Sequence, residues 1–194
     1  MSAVDWTTAA VTGLLTTILN QGVGWFRDWY QQKKLKETQA VYLALQLCVV
    51  LDNFVNSCIY RHWHDKEDLK DARHLDYKLP VLSAYPIDAS DWKSFYQSAP
   101  KLAAHVMAFP NEIMSAESSC QFQGMREGNP FASADETIVA GMRAWELAQD
   151  IRKHFGLEAV ILPQLDSLAS EYKTLQDRID FNRAFAHYAT LPET

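Results

Sequence analysis

The chain of 194 residues is 48% hydrophobic and 12% aromatic, which is enough apolar material for the core of one domain and excludes an intrinsically disordered chain. Its formal net charge of −6 argues against a nucleic-acid-binding protein, whose binding face would be strongly basic. The three cysteines have no metal-finger spacing, so we expect buried, reduced thiols at Cys48, Cys58 and Cys120.

The N-terminal stretch from Trp6 to Phe26 contains no residue that carries a formal charge, whereas Asp5 precedes it and Arg27 follows it. As an α-helix, which rises about 1.5 Å per residue, it would span about 31 Å, the thickness of the hydrocarbon core of a bilayer. Trp6 lies at one end and Trp25 at the other, as aromatic residues do at membrane interfaces. The stretch therefore predicts a membrane-associated helix.

This predicted helix is a marginal span on its own. Its large apolar residues favour insertion by about 2–4 kcal/mol in total, but threonines and glycines oppose it. These apolar residues include Leu14, Leu15, Ile18 and Phe26. Ala9, Gly13 and Thr17 lie four apart and form one ridge of small residues, which lets helices approach closely in lipid. We expect the ridge to make the protein a homo-oligomer.

The same stretch has other interpretations. It also fits a soluble amphipathic helix that packs on its own domain or on an unidentified partner protein. A surface helix in the membrane plane is a third interpretation, which the lack of lysine and arginine inside the stretch disfavours. A cleavable signal peptide fits poorly, because no basic residue precedes the apolar part and no Ala-x-Ala pattern closes it.

A basic segment follows the stretch and completes a predicted first region over residues 1–36. Its basic residues are Arg27, Lys33, Lys34 and Lys36. Because they lie on the C-terminal side only, the positive-inside rule predicts an inner-membrane protein with its N-terminus outside and the bulk of the chain in the cytoplasm. These residues also suit an anionic lipid surface. If the first helix is soluble, they form a solvated face and the protein is cytoplasmic.

Residues 37–194 predict a cytoplasmic bundle of about four or five helices. From Ala40 to Leu51 every residue but Gln46 is apolar or aromatic. The run is too short for a membrane span, and a helix that is apolar almost all round indicates the central helix of a soluble bundle. We expect the polar residues that follow, Asp52 and Asn53, to bond to another helix.

The polar region 61–76 contains the candidate metal ligands. His64, Glu67, Asp71 and His74 lie three or four residues apart and would share one helix face. One helix spreads them over about 15 Å, too far for one metal ion without further ligands. A solvated helix end is therefore the preferred interpretation, and a metal-binding helical protein is kept as a second alternative.

The C-terminal half contains several helix signals. Ser90 predicts a cap for a short helix, and Pro100 predicts the start of the next helix, which Pro110 should kink or restart. In that helix we expect Ile113, Met114, Cys120 and Phe122 to point inward. Residues 124–130 predict a loop.

Two further helices follow this loop. Ser133 and Glu136 form a capping-box pattern that predicts the start of a helix ending at Gly156. The last helix should open at Pro163 and run antiparallel to its predecessor.

No motif for catalysis is present. The chain lacks a Gly-rich phosphate loop, a Gly-x-Ser-x-Gly elbow, a His-Glu-x-x-His pattern and a Cys-x-x-Cys pair. Cys58 and His62 lie one turn apart, but a cysteine on an apolar helix is usually inert packing. We therefore predict no catalytic residue and no cofactor.

Two strings suggest a relationship. LPVLSAYPIDASDW at 79–92 and AFPNEI at 108–113, with the hydrophobic N-terminus, resemble a loose group of uncharacterised bacterial proteins that have a membrane-proximal first helix. The resemblance covers about half the chain and implies a bacterial origin, without any known reaction, cofactor or active residue. The sequence as a whole predicts a non-catalytic, membrane-anchored helical protein that self-associates. A membrane effector is one protein of this kind. The alternative is a soluble helical interaction module.

Overall fold

The computed structural model describes the backbone of residues 4–68, 78–126 and 131–189, and the side chains of residues 29–64, 78–126 and 131–180. Within these residues the protein is all-α, with five helices and no strand. The helices are α1 (Val4–Asp68), α2 (Ala89–Ser98), α3 (Pro100–Arg126), α4 (Ala132–Phe155) and α5 (Leu165–Ala189). The predicted fold class, a helical bundle with a hydrophobic N-terminal helix, is confirmed.

Helix α1 is much longer than the others. It runs for 65 residues without interruption, and Gly22 and Gly24 lie inside it. Every side chain from residue 29 to residue 38 is exposed, Gln39 is half-buried, and Ala40 is the first buried residue of the described part of α1. Among the described side chains of α1, burial in the bundle therefore begins at Gln39, and the same helical backbone continues from there towards the N-terminus.

Helices α1 and α4 form the centre of the bundle. Leu43, Leu47 and Leu51 of α1 are fully buried. Cys58 lies against Gly141, where a Cβ atom would come within 2.9 Å of the Cys58 Cβ, so this glycine lets the two helices pack closely. Asp52 pairs with Arg152. From this pair to the contact of Cys58 with Gly141 the α1 numbers rise while the α4 numbers fall, so the two helices are antiparallel.

The other helices close the core around this pair. The ring of Phe95 in α2 stacks on Phe155 of α4 with centroids 5.2 Å apart. Phe109 of α3 meets Phe54 edge to face at 5.8 Å. Arg178 of α5 pairs with Asp135 at the start of α4, so α5 runs antiparallel to α4, as predicted.

Two predicted helix caps are wrong. The carboxylate of Asp88 accepts hydrogen bonds from the backbone N–H and the hydroxyl of Ser90, at 2.8 and 2.7 Å, so Asp88 caps α2 and Ser90 lies inside it. Helix α4 starts after Phe131 without a side-chain cap, and Ser133 is buried. Ser133, which the sequence pattern predicts as the cap, is instead the second residue of α4, and its side chain is buried.

Helix α3 begins at Pro100 as predicted but continues through Pro110 to Arg126. Ile113 and Cys120 are buried as predicted, whereas Met114 and Phe122 are 65% and 52% exposed. The core face of α3 runs through Val106, Phe109, Ile113, Cys120 and Gly124. At about 100° per residue, Phe122 lies opposite this face and Met114 to its side, so the prediction that these two residues point inward is wrong.

The end of α4 agrees with its prediction. Gly156 has a positive φ of 64°, a left-handed conformation that glycine adopts without a steric penalty. The N–H of Leu157 donates to the carbonyl of Arg152 at 2.9 Å, as in the usual helix-ending turn.

Candidate membrane and interaction surface of α1

The small-residue ridge lies in the N-terminal part of α1. Ala9, Gly13 and Thr17 belong to its continuous helical backbone, so their four-residue spacing places them on one side of the helix. The structure does not describe the side chains of the residues that form the predicted membrane helix. These residues are Trp6, Ala9, Gly13, Leu14, Leu15, Thr17, Ile18, Trp25 and Phe26. The insertion of this part into lipid and its role in association stay predictions.

The basic segment links this part of α1 to the bundle. Lys33, Lys34 and Lys36 are exposed, and Arg27 lies outside the described side chains. The Lys33 ammonium lies 5.9 Å from the centroid of the Trp29 ring, a cation–π distance. Three cations and a half-exposed tryptophan are therefore presented to solvent at the base of the uncharged stretch.

Residues 40–51 form the central helix of the bundle, as predicted, but one face of this segment is exposed. The segment packs against α2 and α4 on one side only, so Tyr42, Leu45 and Val49 are 57%, 47% and 58% exposed. An apolar face of α1 is therefore left in contact with solvent.

The exposed apolar residues form a line along this outer face. At about 100° per residue, the exposed large apolar residues from 35 to 63 lie within about 60° of Tyr42 around the helix. We call this line the outer stripe, and its members are Leu35, Tyr42, Leu45, Val49, Tyr60 and Trp63. The sequence signal for it is the spacing of seven residues between Leu35, Tyr42 and Val49.

An apolar groove of about 600 Å³ lies beside the outer stripe. Leu45 and Val49 line one wall, and residues 84–87 of the connection between α1 and α2 line the other. The indole N–H of Trp92 donates to the carbonyl of Pro86 at 2.7 Å, which holds the connection in place. Ile87 at the groove is 91% exposed, so the apolar surface extends from α1 onto the connection.

Of the two polar residues expected to bond to another helix, Asp52 does so. Asp52 pairs with Arg152, whose guanidinium also lies 5.7 Å from the centroid of the Trp145 ring. Burial raises the pKa of the Asp52 carboxyl, and the hydrogen bond and charge of Arg152 lower it by less. Asn53, in contrast, is exposed. The pair joins α1 to α4 and has the character of a structural contact.

The three thiols are free and buried, as predicted. Burial raises the pKa of Cys48 to about 11 and that of Cys120 to about 11, and it raises the pKa of Cys58 further. A thiol with such a pKa carries almost no nucleophilic thiolate at neutral pH. Cys58 and His62 are both buried in the bundle, so their proximity along the helix does not make an accessible nucleophile.

The candidate metal ligands are described only in part. His64 is exposed, and its ring lies 4.1 Å from the ring of Tyr60. The side chains of Glu67, Asp71 and His74 lie outside the described residues. Among the side chains that the structure describes, no group of three or more His, Cys, Asp or Glu residues could hold a metal ion.

A second groove, of about 170 Å³, lies between α3 and α4 and is polar. Its walls include Glu112, Glu146 and Asp150, with His105 at one side. Arg143 pairs with Glu112 at 3.2 Å, and both side chains are largely exposed. Exposed charges satisfied by one another and by water are typical of a solvated surface.

Within the described residues, α1 from Trp29 to His64 is the helical segment that is long and apolar enough to cross a membrane, and half of its most apolar window is buried in the bundle. A core helix of a soluble protein has the same properties, so this finding by itself does not choose between the two. Comparison of the chain with protein-family models, curated protein sequences and solved structures gives no significant match. The functional inference therefore depends on α1 and its surfaces.

Proposed function

We propose that this is a non-catalytic, membrane-anchored helical protein that self-associates through the N-terminal part of α1. The observation that carries the proposal is the exposed length of α1 between residues 29 and 38. Because the helix is continuous, its rise from Phe26 to Ala40 is about 21 Å, so the uncharged stretch ends about 21 Å before the first residue that is buried among the described side chains. The exposed residues 29–38 would act as a spacer between an anchor and the bundle.

The chemistry of the stretch supports lipid as its surroundings. It is long enough for a bilayer and is followed by three exposed lysines that suit anionic headgroups. Its marginal apolarity makes association part of the proposal, because contacts along the Ala9, Gly13 and Thr17 ridge would satisfy threonine hydroxyls inside the membrane. When several copies insert, threonines can line a pore, and the protein would then act as a membrane effector.

Membrane retention tests the anchor. Full-length protein should stay with carbonate-washed membranes, and Leu15→Arg near the centre of the stretch should move it to the soluble fraction, since a central arginine costs about 2.5–3.5 kcal/mol of insertion. Gln32→Arg adds the same charge in the exposed spacer and should leave retention unchanged. Recovery of the native chain in the soluble fraction would overturn the anchor.

Light scattering of the detergent-solubilised full-length chain tests self-association. Gly13→Ile fills the ridge and should reduce the particle mass. Gly22→Ile is the matched control, because residue 22 lies on the opposite side of the helix at about 100° per residue. Equal masses for the two variants and the native chain would remove the ridge from the proposal.

Membrane orientation has its own test. The proposed topology places the N-terminus outside and residues 27–194 in the cytoplasm. A cysteine introduced by Ser2→Cys should react with an impermeant maleimide in intact cells, whereas the three native thiols are buried and should not. Labelling only after the cells are opened would reverse the topology.

A soluble helical interaction module is the second candidate. The observation that favours it is that the most apolar window in the described part of α1 is half-buried in the bundle, as in a core helix. In this case the first stretch packs on protein, and the outer stripe remains available to a partner. Retention in carbonate-washed membranes separates this candidate from the anchored one.

A further inference from the structure

The outer stripe is an apolar helix face that α2 to α5 leave uncovered. Tyr60 is 68% exposed and Leu35 60% exposed, and the other members are each at least 44% exposed. From Leu35 to Trp63 the face is about 42 Å long at 1.5 Å per residue. A solvated helix face normally carries charged side chains, so the composition of this face indicates that something covers it.

The lack of charged side chains on the outer stripe indicates which kind of partner fits it. Between residues 38 and 60 the only charged residue of α1 is Asp52, which is turned to Arg152 inside the bundle. A parallel pair of identical helices places each residue opposite its own copy, so any charge on the face would repel itself. A helix lying on a lipid surface would instead need lysine or arginine along the edges of its apolar face. The uncharged outer stripe is therefore suited to a second copy of the same helix.

The stripe also continues the small-residue ridge. On a continuous helix at about 100° per residue, Gly13 and Thr17 lie within about 20° of the direction of Tyr42, so ridge and stripe occupy one side of α1. In the seven-residue pattern of Leu35, Tyr42 and Val49, the next position is Asn56 and the one after it is Trp63. A single asparagine at such a position in a coiled coil fixes the register and favours one oligomeric state.

The size of the stripe is sufficient for a dimer. Tyr42, Tyr60 and Trp63 would each present roughly 150–250 Å² if fully exposed, and the three aliphatic members somewhat less. At their observed exposures the six side chains therefore amount to roughly 500–700 Å² per copy. The groove beside Leu45 and Val49, with Ile87 at its edge, adds further apolar area. The total for two copies is comparable to a standard protein interface of about 1,600 Å².

We infer that two copies of this protein pair in parallel along the outer stripe, so that α1 meets α1 between Leu35 and Trp63. The parallel direction rests on the proposed function, because two copies anchored in one membrane point the same way. The contact at the stripe itself rests on the exposed side chains of the bundle.

Disulfide trapping of the full-length chain in detergent tests the pairing. Thr38→Cys and Asn56→Cys lie on the stripe side near its two ends, about 27 Å apart, and each should give a dimer after mild oxidation. Glu37→Cys is the matched control, because residue 37 is equally exposed but about 100° round the helix from residue 38. The native thiols are buried and should give no dimer.

Three results would overturn the inference. They are dimers that form equally at residues 37 and 38, dimers that form at neither 38 nor 56, and dimers that form only with Val49→Cys, which would mean an antiparallel pair. As a further check, Val49→Asp in the Thr38→Cys chain should lower the dimer yield at least tenfold. Because Val49 is 58% exposed in the bundle, this variant should keep the helical content of the native chain, which circular dichroism measures.

The same samples distinguish pairing along the outer stripe from the proposed membrane anchor. Retention in carbonate-washed membranes without dimers at 38 and 56 would remove the pairing and leave the anchor. Dimers at 38 and 56 from a chain recovered in the soluble fraction would remove the anchor and leave the pairing.

Discussion

At the scale of single residues, the contact between Asp52 and Arg152 connects the two central helices. Only 4% of the Arg152 side chain and 14% of the Asp52 side chain are exposed. Burial raises the pKa of Asp52 despite the nearby guanidinium, so the negative charge itself adds little to stability. The hydrogen bond to the buried guanidinium remains important, because an arginine cannot lose its proton inside a protein.

Substitutions of Asp52 separate the hydrogen bond from the charge. Asp52→Ala removes the acceptor from buried Arg152 and should lower the free energy of unfolding by about 2–3 kcal/mol. Asp52→Asn keeps an oxygen acceptor and should cost less than about 1 kcal/mol. Asp135→Ala breaks the more exposed pair with Arg178 and serves as the control, with an expected loss of about 0–1 kcal/mol. Urea denaturation measures all three.

The pH dependence of the unfolding free energy of the native chain and of Asp52→Asn tests the direction of the Asp52 pKa shift. The pKa of Asp52 is higher in the folded than in the unfolded chain, so its contribution to stability is present below the unfolded pKa and is lost as pH rises through the folded pKa. The native chain should therefore lose stability relative to Asp52→Asn as the pH rises through the carboxyl range. A relative gain with rising pH would show that the ion pair outweighs burial.

At the scale of elements, α1 has two different surroundings along one continuous helix. Before Gln39 its described side chains contact solvent, and after Gln39 one side is in the core. The backbone hydrogen bonds are the same in both parts, so only packing distinguishes the spacer from the central helix. This difference predicts where a break in the helix can be tolerated.

Proline substitutions on either side of Gln39 test this boundary. Lys36→Pro breaks the exposed spacer and should leave the thermal midpoint of the bundle nearly unchanged. Gln46→Pro breaks the packed part and should cost about 3 kcal/mol or more, although the Gln46 side chain is only half-buried. Circular dichroism during thermal unfolding gives both values. Equal losses would mean that the folded unit extends into the spacer.

At the scale of the whole molecule, charge is divided unevenly. Residues 27–36 carry a formal charge of +3, whereas the rest of the chain carries −9. An anionic lipid surface attracts the first part and repels the second. If the proposed anchor holds, this distribution favours an orientation in which the basic segment of α1 faces the membrane and the bundle extends away from it.

Vesicle binding tests this distribution. Changing Lys33, Lys34 and Lys36 to glutamine should weaken binding to vesicles containing anionic lipid by about 1 kcal/mol per lysine, on the order of a hundredfold in total, and should reduce the dependence on salt. Changing Lys78, Lys93 and Lys101, which are exposed on the bundle, to glutamine is the matched control. Similar losses in the two triple variants would show that net charge, not its position, governs binding.

Several features could be predicted from the sequence because they depend on local patterns. Apolar spacing identifies a helical bundle, Pro100 marks the start of α3, and Gly156 marks the end of α4, since each acts through backbone geometry within one or two turns. The uncharged stretch before Arg27 and the basic residues after it are likewise properties of the sequence alone.

The tertiary structure decided which face of each helix is covered. An apolar run such as residues 40–51 does not reveal that neighbours pack on one side only, so the exposure of Tyr42, Leu45 and Val49 follows from the positions of α2 and α4. In the same way, Asp88 and not Ser90 caps α2 because the helix begins two residues earlier than the pattern indicates. Burial depends on residues distant along the chain, and for that reason the outer stripe became visible only in the folded bundle.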